Sequence, residues 1–208
     1  NRDRRNIDDS DLKLMIPNGA SIDASAVSAD IEISELDNER ISAESVSGDV
    51  EVTANSQRVS IESVSGNVSF EGETNSISAE SVSGDMAFSG ISEQIDATTV
   101  SGELEMQAGK ITSAKLETVS GNLKVTGEIA DNGKLTAESM SGEVFVSVPA
   151  SQSGMFKAQS FSGRIYTDFG TVSHAKHGPG SHLKHVEGSG GAEVRVESFS
   201  GNIKLKHD

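Results

Sequence analysis

The sequence predicts an all-β fold: a single-stranded β-helix, or β-solenoid, right-handed, with about nine rungs of 18–21 residues. Three observations predict it. A short phrase recurs at a nearly constant interval. Apolar residues keep the same places relative to that phrase in each copy. Between them, polar and apolar residues alternate with period two, which is the signature of a strand and not of a helix.

The phrase contains Ser-Gly, at 47–48, 65–66, 83–84, 101–102, 120–121, 141–142, 162–163 and 200–201, with Ser28-Ala29 as a degenerate first copy. From Ser28 the steps are 19, 18, 18, 18, 19, 21, 21 and 38 residues, the last holding one repeat and a long excursion. Such a repeat cannot bury its own apolar face. Stacked copies can, with like residues lying on one another at roughly 4.8 Å spacing.

Each element follows from its column. Two positions after the Gly stand Val50, Val68, Met86, Leu104, Leu123, Val144, Ile165 and Ile203, and two further on a second apolar series runs from Val52 to Leu205. These form the strand that leaves the corner. Six and four positions before the Ser stand Ile41 and Ala43, Val59 and Ile61, Ile77 and Ala79, and their later counterparts. These form the strand that enters it. Immediately before the Ser stand Val46, Val64, Val82, Val100, Val119, Met140, Phe161 and Phe199. Read as a fifth core column, they predict that Val64, Val82 and Val100 stack in the interior. The Ser-Gly marks the corner, where Gly suits a positive φ or a close backbone approach. The opposite junction varies in length, from TANSQR to TGEIADNGK, as surface loops do. Gly90-Ile91, Gly109 to Ile111 and Gly127 to Ile129 suggest a third short side. A left-handed hexapeptide helix is set aside, because the six-residue series from Val46 meets Arg58, Ser76 and Gln94 at every third site.

The chain reads as one domain, 1–208, with a polar N-terminal segment 1–11 and an excursion over 169–191. Leu12, Leu14 and Ile16 are expected to begin the stack. The final GNIKLKHD is expected to form its exposed last edge, guarded by Lys204 and Lys206. That guard predicts a monomer.

Composition narrows the function. With 17 basic and 32 acidic residues the formal charge is −15, which opposes binding to nucleic acid or anionic lipid. Cysteine is absent, so disulfide and thiolate chemistry are absent too. No apolar run reaches the length of a membrane span. The chain opens at Asn1 without Met, as expected of a processed start with a signal peptide removed.

The repeated SVSGDV and TVSGEL units, the later VPASQSGMFKAQSFSG and the closing GPGSHLKHVEGSGGAEVRVESFSGNIKL resemble the bacterial adhesin-type β-helix family, domains of unknown function in cell-envelope proteins. The resemblance covers roughly 12–206. It implies an extracytoplasmic setting (periplasm, cell surface or secreted) and supplies no catalytic residues.

Two clusters invite a chemical reading. His174, His177, His182 and His185 flank Gly178-Pro179-Gly180, and imidazoles on two paired arms suit zinc, nickel or copper. Yet H-x-x-H on a strand sends its two rings to opposite faces, so a solvated hairpin is the preferred reading and no metal or other cofactor is assigned. Glu44, Glu62, Glu80, Glu117, Glu138 and Glu197, with Asp49, Asp85, Glu103 and Glu143, form acidic ladders that calcium could neutralise, but Asn, Thr and Gln interrupt them and a solvated face is preferred. No nucleophile-elbow, zinc-protease, Walker or dinucleotide motif occurs. The serine column lacks a base in each copy. Flat Thr ladders of the ice-binding kind are lacking as well.

The reading is therefore a non-catalytic extracytoplasmic β-helix, an adhesive or scaffold surface in the bacterial envelope, with an envelope or cell-surface protein or glycan as partner. The alternative is a polysaccharide-active enzyme or a metal-dependent sugar-binding protein, which would show a cleft with clustered Asp, Arg and His.

Overall fold

The structure, a computed structural model, describes residues 12–174 and 180–208. Segment 1–11, and His177 with its immediate neighbours, lie outside the described residues, so the expectation for the polar N-terminus concerns residues not described. Among the described residues there is no helix. The strands are β1 (Ile22–Ala26), β2 (Ile31–Ser47), β3 (Val50–Ser65), β4 (Val68–Ser83), β5 (Met86–Ser101), β6 (Leu104–Ser120), β7 (Leu123–Ser141), β8 (Val144–Val148), β9 (Gly154–Ser160), β10 (Ile165–Thr167), β11 (Ser173–His174), β12 (Ser181–Glu187), β13 (Ala192–Ser200) and β14 (Ile203–His207). Strands β2 to β7 each bend through most of one turn and pair in parallel with the next, giving a solenoid of about seven turns with partial rungs at its ends.

The repeat sets the register. Val50 lies on Val68, Val68 on Met86, and Met86 on Leu104. Ile41, Val59 and Ile77, with Ala43, Ile61 and Ala79, fill the opposite wall and are buried. Ile91, Ile111 and Ile129 are buried on the short third side. At the corner, Gly66 has φ 127°, and a Cβ there would stand 2.2 Å from the Gly48 carbonyl oxygen. No side chain fits between rungs stacked so closely, so each copy above Ser28-Ala29 repeats glycine.

The column before the Ser is not core. Val46, Val64, Val82 and Val100 are 44–50% exposed, and Val119, Met140, Phe161 and Phe199 follow them outward. The inward series on β3 is Val59, Ile61 and Ser63, so strict alternation holds up to the corner and places Val64 outside. The corner narrows the interior, and the small Ser45, Ser63, Ser81, Thr99, Thr118, Ser139 and Ser198 occupy it instead. The Ser45 hydroxyl donates to the Gly48 carbonyl, and the equivalent Ser160 donates to that of Gly201.

The ends also depart from expectation. The final strands are not the edge. Strand β13 lies between β7 and β9, paired in parallel with both, and β14 lies between β8 and β10. The chain thus skips one level after β8 and fills it last. Lys204 and Lys206 pair with Glu143 and Asp168 in place of guarding a free edge. Where the level is skipped, the buried Gln152 replaces a strand: its side-chain amide accepts from the Ile129 N–H at 2.8 Å and donates to the Ile129 carbonyl at 3.0 Å.

The excursion supplies the cap. Strand β12 runs antiparallel on β9, and the two-residue β11 runs antiparallel on β12. Phe169 turns into the core and stacks on Phe156, ring centroids 4.0 Å apart. Among the described residues, strand β11 pairs only with Ser181 and His182 of β12. At the other end Leu12 and Leu14 are exposed, the stack begins at Ile22, and Ile16 packs against the core.

Candidate functional site: an exposed apolar stripe

The outward column forms one continuous line. Rung register puts Val46, Val64, Val82, Val100, Val119 and Met140 in sequence, then Phe199 and, above it, Phe161. Val27, just beyond β1 and 73% exposed, begins the line. Nine residues at rung spacing make a stripe roughly 38 Å long. At its upper end the rings of Phe161 and Phe199 stack with centroids 4.9 Å apart, nearly parallel at 7°. Single exposed valines are ordinary on any protein. A contiguous row of nine is not, and such patches mark contact surfaces.

On its own strands the stripe has charge on one side only, and on the other side the carboxylates of Asp49 and Asp85 stand beyond the corner. Two residues before each member from Val46 on, on the same outward face, stand Glu44, Glu62, Glu80, Thr98, Glu117, Glu138, Glu197 and Gln159. On the other side run the exposed hydroxyls of Ser47, Ser65, Ser83 and Ser101. The pattern across the face is thus carboxylate, apolar, hydroxyl.

The second acidic ladder holds rungs together. After corners that carry Asp or Asn the side-chain oxygen of one rung accepts the backbone N–H of the next: Asp49 Oδ1 from Asn67 at 2.7 Å, Asn67 Oδ1 from Asp85 at 3.1 Å, and Asp85 Oδ1 from Glu103 at 2.7 Å. Asp and Asn serve equally, since each offers an acceptor oxygen of the same reach. This explains the Asn interruptions that the sequence shows in that column. These acceptors satisfy corner amides that the strand ladder leaves unpaired.

The histidines are brought only partly together. The two arms pair, with Ser173 opposite His182 and His174 opposite Ser181. His174 Nδ1 lies 3.2 Å from Ser181 Oγ, while His185 Nε2 lies 2.9 Å from Glu187 Oε2. His182 and His185 fall on opposite faces of β12, and His177 lies outside the described residues. Among the described residues no three His, Asp or Glu side chains converge as metal ligands would.

Two carboxylates have perturbed acidity. Asp168 is held below the usual carboxylate range by its hydrogen bond from Lys206, helped by the His207 backbone N–H. Glu193 is lowered likewise by the hydrogen bond from Lys157. Both lie in the C-terminal rungs, and both are structural ties. The hollows of the lateral wall are open to solvent. One is lined by Glu51, Thr53, Glu71, Glu105 and Gln107, the other by Glu103, Lys124, Glu143 and Phe145.

Stacked parallel rungs with glycine corners and a capped end define a β-solenoid repeat domain. The family model described as Toastrack DUF4097 matches residues 4–206, and the chain belongs to that family, one of unknown function. No curated protein matches the chain. A solved structure described as a "putative cell adhesion protein" from Clostridium sporogenes is similar at 15% identity and a TM-score of 0.38, over 60% of this chain and 56% of that one. This chain therefore spans little more than half the length of that relative. No helix among the described residues is long and apolar enough to cross a membrane.

Sequence reasoning found the residues of the stripe but put them indoors. The missed signal was phase: counting by twos from Ile41 through Ala43 reaches Ser45, not Val46.

Proposed function

We propose that the protein is a non-catalytic binding module, an adhesive or scaffold surface of the bacterial envelope that makes its contact along the Val27-to-Phe161 stripe. One observation carries the reading: a row of nine apolar side chains, repeated rung after rung, stays in water although the same strands bury their other hydrophobes. Exposed valine adds nothing to the core, and each copy risks aggregation. A contact surface gives the repetition a use. The extracytoplasmic setting rests on the likeness of the SVSGDV units to envelope β-helix proteins. The formal charge of −15 on each copy favours a monomer with a lateral binding face over a filament.

The test compares the protein with Val64→Ser/Val82→Ser/Val100→Ser. Both are applied to isolated envelope fractions, and retention is measured after washing. Retention of the unchanged protein and at least a several-fold loss in the variant, with equal unfolding temperatures, supports the reading. Equal retention would refute it. Fractionation of producing cells tests the location, and recovery of the protein from the cytoplasm alone would reject that part.

A further inference from the structure

We infer that the lower half of the stripe, Val46 to Val100, docks a basic amphipathic helix whose lysines or arginines lie along one flank of its apolar face. The inference rests on the reading of the stripe as a contact surface and adds the partner's chemistry.

It comes from a difference between rungs. In the upper rungs the protein neutralises two of the three carboxylates of its own column, Glu117 and Glu197, and Glu138 lies between these two ion pairs. Lys115 bonds Glu117 at 2.9 Å, and Arg195 bonds Glu197 at 2.7 Å, each cation standing two residues before its acid. In β2, β3 and β4 the same position holds Ser42, Ser60 and Ser78. Glu44, Glu62 and Glu80 are exposed, and none takes part in an ion pair among the described residues. Three unneutralised carboxylates therefore stand one above another at roughly 4.8 Å, each roughly 7 Å along the strand from an exposed valine. Like charges so close repel, and an external row of cations would relieve the repulsion.

The geometry fits a helix. Successive turns of an apolar helix face repeat at about 5.4 Å, so three turns match the four rungs from Val46 to Val100 within about 2 Å. The opposite flank offers Ser47, Ser65 and Ser83, and beyond the corner Asp49 and Asp85 already accept rung-to-rung backbone hydrogen bonds, so the cations belong on the Glu44 side, which fixes the helix direction. A second copy of this chain is disfavoured as occupant, since each copy carries a formal charge of −15. Anionic lipid is disfavoured for the same reason.

The probe is a synthetic helical peptide with a leucine face and lysines along one flank, with twins bearing glutamine or glutamate there. The full chain is titrated with each at low and physiological salt. The lysine peptide is expected to bind about tenfold more tightly than the glutamine twin, and the glutamate twin to bind weakest. Glu44→Gln/Glu62→Gln/Glu80→Gln should erase the lysine preference and leave glutamine-peptide binding unchanged. Ser42→Lys/Ser60→Lys/Ser78→Lys, which copies the Lys115–Glu117 arrangement, should do the same. Binding of all three peptides alike, lost on Val64→Ser/Val82→Ser/Val100→Ser, would overturn the cationic partner and leave the stripe standing as a surface. No binding by any peptide would overturn the helix. Sedimentation showing concentration-dependent self-association abolished by the valine variant would make the occupant a second copy and overturn it likewise.

Discussion

Val59 and Val64 stand five residues apart on β3, yet Val59 is fully buried and Val64 is 48% exposed. Both belong to columns that recur in every rung. The inner columns hold the stack together. The outer one contributes nothing to it and exposes a continuous apolar line. Periodicity in a solenoid shows only that a residue must match its neighbours above and below. It does not show which side of the wall it occupies. What decides that is the phase of the alternation, and the phase is carried by small residues, here Ser63 and its equivalents, as much as by large ones.

Substitutions separate the two columns. The largest effect is expected inside: Ile61→Asp, which buries an unpaired charge among β2, β3 and β4, should cost several kcal/mol, roughly 3 or more, read as a loss of the chemical unfolding midpoint or of soluble protein. Next comes the corner between the columns. Gly84→Ala places a Cβ 2.1 Å from the Gly66 carbonyl oxygen at φ 126°, so rungs must separate. About 1–3 kcal/mol of destabilisation is expected in denaturant unfolding. Smallest is the outer column, where Val82→Asp should change stability by about 0.5 kcal/mol or less, because the charge stays in water. A large loss for Val82→Asp would place that valine indoors after all.

Acid sharpens the contrast between the regular rungs and the C-terminal ones. Asp168 ties to Lys206 on β14, and Glu193 on β13 ties to Lys157 on β9, so both bind the late-inserted level to its neighbours. Their folded-state acidities are shifted down, so their contribution is present above the ordinary carboxylate pKa of about 4 and is lost as pH falls through the lower folded values. Both pairs are part-exposed and screened, so a modest effect is expected: hydrogen exchange at low pH should rise in β9, β13 and β14 before it rises in β3 to β5.

Much of the fold was legible in the sequence because the repeat is a direct record of stacking. The corner glycines, the inward columns of Ile41 and Ala43 and the short side at Ile91 follow from spacing alone. The level order at the C-terminus was not legible. Strand β13 carries the same phrase as every other rung, and nothing in ESFSG says that it lies beneath β9 and not above it. That order depends on the long step before it, on Gln152 filling the gap beside Ile129, and on Phe169 plugging the core, all contacts between residues far apart in sequence. The acceptor role of Asp49 and Asn67 was hidden for a related reason: a column of mixed Asp and Asn reads as a broken charge ladder until the backbone amide above it is seen. The stripe was legible as a column and illegible as a surface.

Site-specific photo-crosslinking tests the central claim most directly. A photoreactive side chain at Val82, on the stripe, and another at Ser69, on the other wall of the same β4 strand, are exposed in turn to an envelope extract. One discrete adduct is expected from position 82, lost when Val64→Ser and Val100→Ser are added, with none from position 69. Equal labelling from both positions, or an adduct at 82 that survives the two serines, would contradict the assignment of the stripe as the contact surface.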